Sequence, residues 1–385
     1  MSEIEAYITN TAICLPNQPV DNDNIESVLG MVGDKPSRAK RIILERNGIE
    51  QRYYVLDPET GEPQYTNAQI TAEAVRGLFL NEKNMDEIEC LVSGTTMPDQ
   101  IAPNHAVMVH GELKMPACEV IATSGICLSG MTALKYAYMA VKSGEHEHVV
   151  STGSETASLM LRASNFKEES KHNVVQLKKK PEIAFEKDFL RWLLSDGAGA
   201  FLIESSPEPR SDQPVLKINW LEMFSYAHEY ETCMYAGAEK NSSGNLKGWN
   251  AHEAQELLDN SVLTLKQDVK LLNENIVPVT LTRSLKKIIK KHQLRADKID
   301  YFLPHISSMY FYEKVATALD DMDFHIPQEK WFTNLKTKGN TGSASIYIML
   351  DELLKSGNIK SGDNILCFIP ESGRFSSAFL MLTAL

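Results

Sequence analysis

The chain has 385 residues, 43% of them apolar and 23% charged, and carries a net charge of -12 at pH 7. That length can bury a large core, as one large domain or as two fused halves, and the acidic balance excludes general nucleic-acid binding, which needs a concentrated positive field. No apolar run is long enough to span a bilayer, and MSEIEAYITN has neither a basic nor an apolar leader region, so a cytoplasmic protein is expected.

In chain order, IEAYITNTAICLP predicts an opening strand that stops at Pro16. Residues 21–66 are polar and turn-rich, with RAKRIILERNGIEQRYY as one dense segment and DPETGEPQ as a loop. A helix is predicted over 67–81 and a strand over 89–94. A proline-containing loop then leads to a helix carrying His105 and His110, whose apolar surroundings read as packing. ACEVIAT (117–123) reads as a near-continuous buried strand running into the loop of Cys127, and Ser195-Asp196-Gly-Ala-Gly-Ala opens the strand FLIE with small residues. The pattern weakens over 205–250. It resumes with a long helical region over 252–273, a lysine-rich helix over 282–292 and a strand leading to His305.

Two stretches share one layout. GICLSGMTALKYAYMAVKSG places Cys127 sixteen residues before Ser143-Gly144, and KGNTGSASIYIMLDELLKSG places Asn340 sixteen before Ser356-Gly357. Each continues into a short apolar run, HVVSTGSE and NILCFIPESG, giving helix, turn, strand twice. Upstream, CLVSGTT precedes Cys127 much as YFLPHIS precedes Asn340, so His305 joins the same frame. The fold class expected is α/β and duplicated, with a first half at 1–204 bearing Cys127 and a second at 205–385 bearing His305 and Asn340.

A thiol, an imidazole and a carboxamide at matching loop positions make a nucleophilic site. Cysteine at a helix N-terminus gains from the dipole and from unpaired N–H groups, which favours thiolate. Thiolate attack on a thioester gives an acyl-enzyme. His305 Nε2 and the Asn340 amide then serve as donors to the enolate of a second substrate. Each residue also has an ordinary structural reading: a buried cysteine, a strand-end histidine, an asparagine suited to a tight turn. The six cysteines lack CxxC spacing, so no metal site, cofactor site or disulfide framework is signalled. Glu155 is read either as a support behind the site or as a base, and the Lys286, Lys287, Lys290 and Lys291 face either as a solvated surface or, like Lys178–Lys180, as a dock for an acidic carrier.

These residues resemble the thiolase superfamily, and within it the β-ketoacyl-acyl-carrier-protein synthase III group. RNGIEQRYY, SGTT, TSGICLSG, SDGAGA, PHIS and GNTGSAS are similar to six segments of that group, in the same order. The resemblance implies a five-layer α-β-α-β-α thiolase fold, usually dimeric, with Cys127, His305 and Asn340 as catalytic residues. Ile42 stands where the group carries a tryptophan on the adenine of coenzyme A, and Asp188 falls near a basic coenzyme-A contact. These departures favour acyl groups delivered by carrier protein. They point to a condensing enzyme similar to those that join two β-ketoacyl chains into cyclohexanediones and dialkylresorcinols. Fatty-acid initiation, acyl transfer to a hydroxyl or amine, hydrolysis and a non-catalytic partner role are the alternatives.

Overall fold

The computed structural model describes residues 4–32, 36–37, 39–79, 82–172 and 189–385. Lys178–Lys180 and Asp188 lie outside the described residues. No helix among the described residues is long and apolar enough to cross a membrane.

A nine-stranded sheet organises the chain. Its strands are β1 (Tyr7–Cys14), β2 (Cys90–Thr95), β3 (Glu119–Ser124), β4 (His148–Glu155), β5 (Gly197–Glu204), β6 (Leu216–Ser225), β7 (Tyr301–Pro304), β8 (Asn364–Glu371) and β9 (Ser376–Ala384). In the first half the order is β3-β2-β4-β5-β1, and in the second it is β7-β8-β9-β6. The pairing directions match step for step. β1 is antiparallel to β5, β5 antiparallel to β4, and β4 parallel to β2; β6 is antiparallel to β9, β9 antiparallel to β8, and β8 parallel to β7. β3 then adds parallel to β2, and in the second half a parallel bridge from Phe302 to Trp331 occupies the equivalent edge. The halves meet where Tyr7 and Ile8 pair with Lys217 and Leu216.

Side-chain alternation along the strands separates the layers. Leu91, Val150 and Leu202 face an outer layer containing helices α1 (Asn67–Arg76) and α2 (His105–Leu113). Their neighbours Cys90, Val92, Val149, Phe201 and Ile203 face a central layer. That layer contains α3 (Ser129–Ser143) and α4 (Ser345–Lys355), and Ile365, Cys367 and Leu380 of the second half close it from the other side. Leu366, Phe368 and Phe379 face the second outer layer, where Leu285 and Ile288 pack. The five-layer thiolase architecture is therefore present.

The two central helices carry the duplicated sequence. α3 stops on Gly144 (φ +75°) and α4 is followed by Gly357 (φ +71°), left-handed positions that explain the matching Ser-Gly pairs. Tyr347 pins the helices together, its hydroxyl donating to Gly130 O at 2.8 Å and lying 2.7 Å from Ser151 Oγ. Gly130 and Gly153 permit this approach: a Cβ on either would sit 2.4 or 2.3 Å from Ser343 O.

Four expectations change. ACEVIAT is the partly exposed edge strand β3 (119–124), because β2 pairs it on one side only. The helix at 67 ends at Arg76, and a 3₁₀ turn (82–87) follows. The region 252–273 breaks into a helix at 254–259, a short strand at 266–267 and a helix at 269–275, with Ser261 left-handed (φ 46°) at the break. The lysine-rich helix starts at Ser284, after a π-helical stretch (276–283) that holds Pro278, whose missing N–H disfavours a regular α ladder.

Candidate active site

Cys127, His305 and Asn340 line one cavity, which they share with Glu155. Cys127 lies in the turn between β3 and α3, Asn340 in the turn before α4, and His305 at the end of β7. The duplicated topology brings the two helix entrances together, so residues 213 positions apart in sequence, from 127 to 340, meet at one place. Leu190, Leu193, Leu194, Leu265, Leu272 and Ile276 supply apolar wall. Met234 comes from the weakly patterned 205–250 region.

His305 is buried, and burial lowers its pKa to about 4, so the imidazole is neutral near pH 7. Its Nδ1 lies 2.8 Å from Ser345 Oγ. Ser345 Oγ also lies 3.8 Å from Met349 Sδ, and His305 Nε2 has no partner among the described residues; the tautomer that carries the ring proton on Nε2 makes it a donor. Asn340 is fixed by Asn340 N donating to Leu193 O at 3.0 Å and by Ser195 N donating to Asn340 O at 2.9 Å. Its Oδ1 accepts from Gly342 N at 3.0 Å, which leaves the Nδ2 amide as the free end. Ser195 and Asp196 tie this turn to the first half: Ser195 Oγ accepts from Tyr53 N at 2.8 Å and Asp196 Oδ2 from Val55 N at 2.7 Å.

The cysteine's electrostatics differ from the expectation. Burial, then the carboxylates Glu371 and Glu155, push the Cys127 thiol well above its ordinary range. The N–H groups of Ile126 and Leu128 that flank it donate to Glu371 Oε2, at 2.9 and 3.0 Å, so they are not available to a thiolate. Cys127 also precedes the first residue of α3 by two positions. The resting form is the thiol.

Two carboxylates at this site are the residues that sequence reasoning underweighted. Glu371 follows from the second-half copy of the strand end, where PESG stands opposite GSE. Glu155 Oε1 accepts from Thr96 N (3.2 Å), Thr96 Oγ1 (2.5 Å) and Ser343 N (3.1 Å), while Oε2 takes no hydrogen bond from the protein. Burial raises the Glu155 carboxyl to about 7, against the lowering effect of these donors. No lysine or arginine among the described residues lines the cavity.

Two further pockets lie near the site. Ser307 and Leu272 line the cavity while Ser308 and Asn273 line an adjoining pocket with Ile43, Arg46 and Asn47, on the helix that carries exposed Ile42. On another side, Met97 and Met160 also line a groove of about 440 Å³ walled by Leu159, Leu257, Leu258 and Leu263.

Other residues singled out in the sequence lie elsewhere. His105 is buried against Ser154 Oγ (3.1 Å) and Thr71 Oγ1 (3.4 Å), a packing role. In the lysine face, Lys287 lies over Phe224 and Tyr226, and Lys291 pairs with Glu222 at 2.6 Å. Cys90, Glu119 and His146 come within 4.8 Å of one another, but Glu119 is already bonded to His146 (2.6 Å) and Tyr136 (2.8 Å).

Comparison with known proteins agrees with this architecture. Residues 289–373 match the model of the 3-oxoacyl-[acyl-carrier-protein (ACP)] synthase III C-terminal family. The chain is 26% identical over 363 residues to β-ketoacyl-[acyl-carrier-protein] synthase III of Clostridium perfringens, covering 94% of each. Among solved structures, AbyA1, a tetronic acid condensing enzyme, superposes with TM-score 0.74 at 16% identity, covering 98% of this chain and 99% of that one. OleA of Xanthomonas campestris, a C143S variant with bound lauric acid and lauroyl-CoA, superposes with TM-score 0.73 at 18% identity and 99% coverage of each.

Proposed function

Starting from a chain that is a synthase III-like condensing enzyme of the thiolase superfamily, we propose that it loads an acyl group on Cys127 and joins it to a second acyl thioester by Claisen condensation. The observation that carries this reading is the pair of nitrogens without a partner among the described residues, His305 Nε2 and Asn340 Nδ2, on residues that line the same apolar cavity as the thiol. In such a cavity, neutral donors stabilise enolate charge far more than they would in water. Acyl transfer to a hydroxyl or amine would need little from Asn340.

The donor is a β-ketoacyl thioester and the product a cyclohexanedione or dialkylresorcinol type of secondary metabolite. A malonyl donor would bring a carboxylate into a cavity that holds Glu155, has Glu371 acting on the thiol, and has no lysine or arginine among the described residues of its lining. A neutral β-ketoacyl chain avoids that repulsion. The groove beyond Met97 and Met160 offers Leu159, Leu257, Leu258 and Leu263 to an alkyl chain, beside the polar Asp99, Arg162 and Glu168. Carrier protein is the preferred deliverer over coenzyme A, because Ile42 offers no aromatic face at the entrance.

Residues 1–204 and 205–385 act as two halves of one machine, the first supplying the nucleophile and the second the oxyanion donors. The partly exposed edge β3, which leads into the Cys127 turn, is the surface through which a second copy would extend the sheet into a homodimer. The test is intact-protein mass spectrometry after incubation with saturated and β-ketoacyl carrier thioesters, then product analysis with malonyl or β-ketoacyl donor. Loading on Cys127 and carbon–carbon product with the β-ketoacyl donor is the expected result. Product with malonyl donor alone would return the protein to chain initiation.

A further inference from the structure

We propose that Glu155 is the base that removes the α-proton of the donor, which makes this a site for donors that carry no carboxylate to lose. This rests on the reading that the second substrate is a β-ketoacyl thioester. A malonyl donor makes its enolate by losing CO₂ and needs no base. A neutral donor must lose a proton, and something in the cavity must accept it.

The candidates are few. His305 is neutral with Nδ1 held by Ser345, and burial has already made it a poor base. Asn340 cannot accept a proton. Glu371 spends Oε2 on Ile126 N and Leu128 N, and serves to hold the nucleophile turn. Glu155 is different. Its Oε1 takes all three protein hydrogen bonds, from Thr96 and Ser343, so the carboxyl group is rigidly aimed, and Oε2 is left without a protein partner in a residue that lines the cavity. It lines the same cavity as Cys127, the residue that would carry the acyl group to be attacked. A carboxyl near 7 is half ionised at neutral pH, the condition in which a group both accepts and returns a proton readily. The titratable groups that line this cavity with it are Cys127 and His305; Glu371 sits behind the nucleophile turn on Ile126 N and Leu128 N, and His105 lies beside the neighbouring Ser154.

The step balances without a further reactant. Glu155 takes the α-hydrogen as a proton, and the enolate oxygen rests on His305 Nε2–H and Asn340 Nδ2–H. The α-carbon attacks the acyl carbonyl on Cys127, the carbon–carbon bond forms, and the carbon–sulfur bond breaks. The leaving thiolate then receives the proton from Glu155, which restores both groups.

The experiment preloads the enzyme with an acyl group on Cys127, verified by mass, and follows single-turnover condensation with a β-ketoacyl or a malonyl carrier thioester. Wild type, Glu155→Gln and Glu155→Asp are compared. Gln keeps the oxygen that anchors Thr96 and Ser343 and removes only the basicity. The expected result is a loss of about 10²- to 10⁴-fold with the β-ketoacyl donor in Glu155→Gln, partial recovery in Glu155→Asp, and a malonyl rate no lower than wild type. The wild-type β-ketoacyl rate should also rise with pH through about 7, and this rise should vanish in Glu155→Gln. Condensation within threefold of wild type in Glu155→Gln would overturn the assignment, as would an equal loss with both donors, which marks a structural role. A wild-type enzyme that condenses with malonyl donor alone would instead overturn the donor reading itself.

Discussion

Replacing Asn340 with alanine separates the two half-reactions. The side chain does two jobs: Oδ1 accepts from Gly342 N at 3.0 Å, and Nδ2 is one of the two nitrogens without a partner among the described residues, on residues that line the cavity. Removing one oxyanion donor from a dry site costs about 10²- to 10³-fold in rate. Leaving the Gly342 N–H unpaired costs about 1–3 kcal/mol of stability, so the variant should still fold. Loading of Cys127 involves neither the enolate nor its donors. We therefore expect full acyl occupancy on Cys127 by intact mass, a lower melting temperature, and single-turnover condensation slowed by about 10²- to 10³-fold. A folded Asn340→Ala enzyme that condenses within about threefold of wild type, well inside that range, would refute the donor assignment. One that no longer loads would show that Asn340 belongs to the first half-reaction.

Further outcomes follow from the same geometry. Because burial and two carboxylates raise the Cys127 thiol, iodoacetamide labelling of that residue should accelerate steadily as pH rises from 6 to 9; a plateau near pH 6–7 would mean that a thiolate exists at rest. Gly153→Ala places a methyl 2.3 Å from Ser343 O and should destabilise by about 1–3 kcal/mol or more, measured by denaturant unfolding; an unchanged midpoint would refute the close packing of β4 against the turn that precedes α4. His105 and His305 are each held near 4 by burial, below the usual 6.5, so their neutral forms stabilise the fold above pH 6.5 and that stability is lost as pH falls toward 4. Melting temperatures at pH 7.5 and 5.5 should show the drop, and His105→Asn should reduce it; an unchanged drop would remove His105 from the account.

The sixteen-residue spacing of Cys127 and Asn340 from their Ser-Gly pairs is local information. It reports a helix of fixed length closed by a left-handed glycine, and both stops, Gly144 and Gly357, are where the sequence places them. Duplication made the rest of the frame legible, including the turns of Cys127 and Asn340 and the strand of His305, because equivalent positions in two copies of one unit can converge on a common axis; that these do is seen in the cavity they share. Edge position was not legible. ACEVIAT carries the apolar residues of a buried strand, and only the strand order shows that β3 pairs on one side.

The ionisation of the site was equally hidden. Helix position alone predicted a thiolate, but the pKa of a thiol depends on charges that arrive from remote parts of the chain: Glu371 lies 244 positions after Cys127 and Glu155 lies 28 after it. The sequence by itself determined the duplicated α/β units and which three side chains the turns present. Only the tertiary structure decided that Glu155 joins them in a cavity lined by no lysine or arginine among the described residues, with Glu371 behind the Cys127 turn, because electrostatic energy in a low-dielectric interior depends on distance through space and not on separation along the chain.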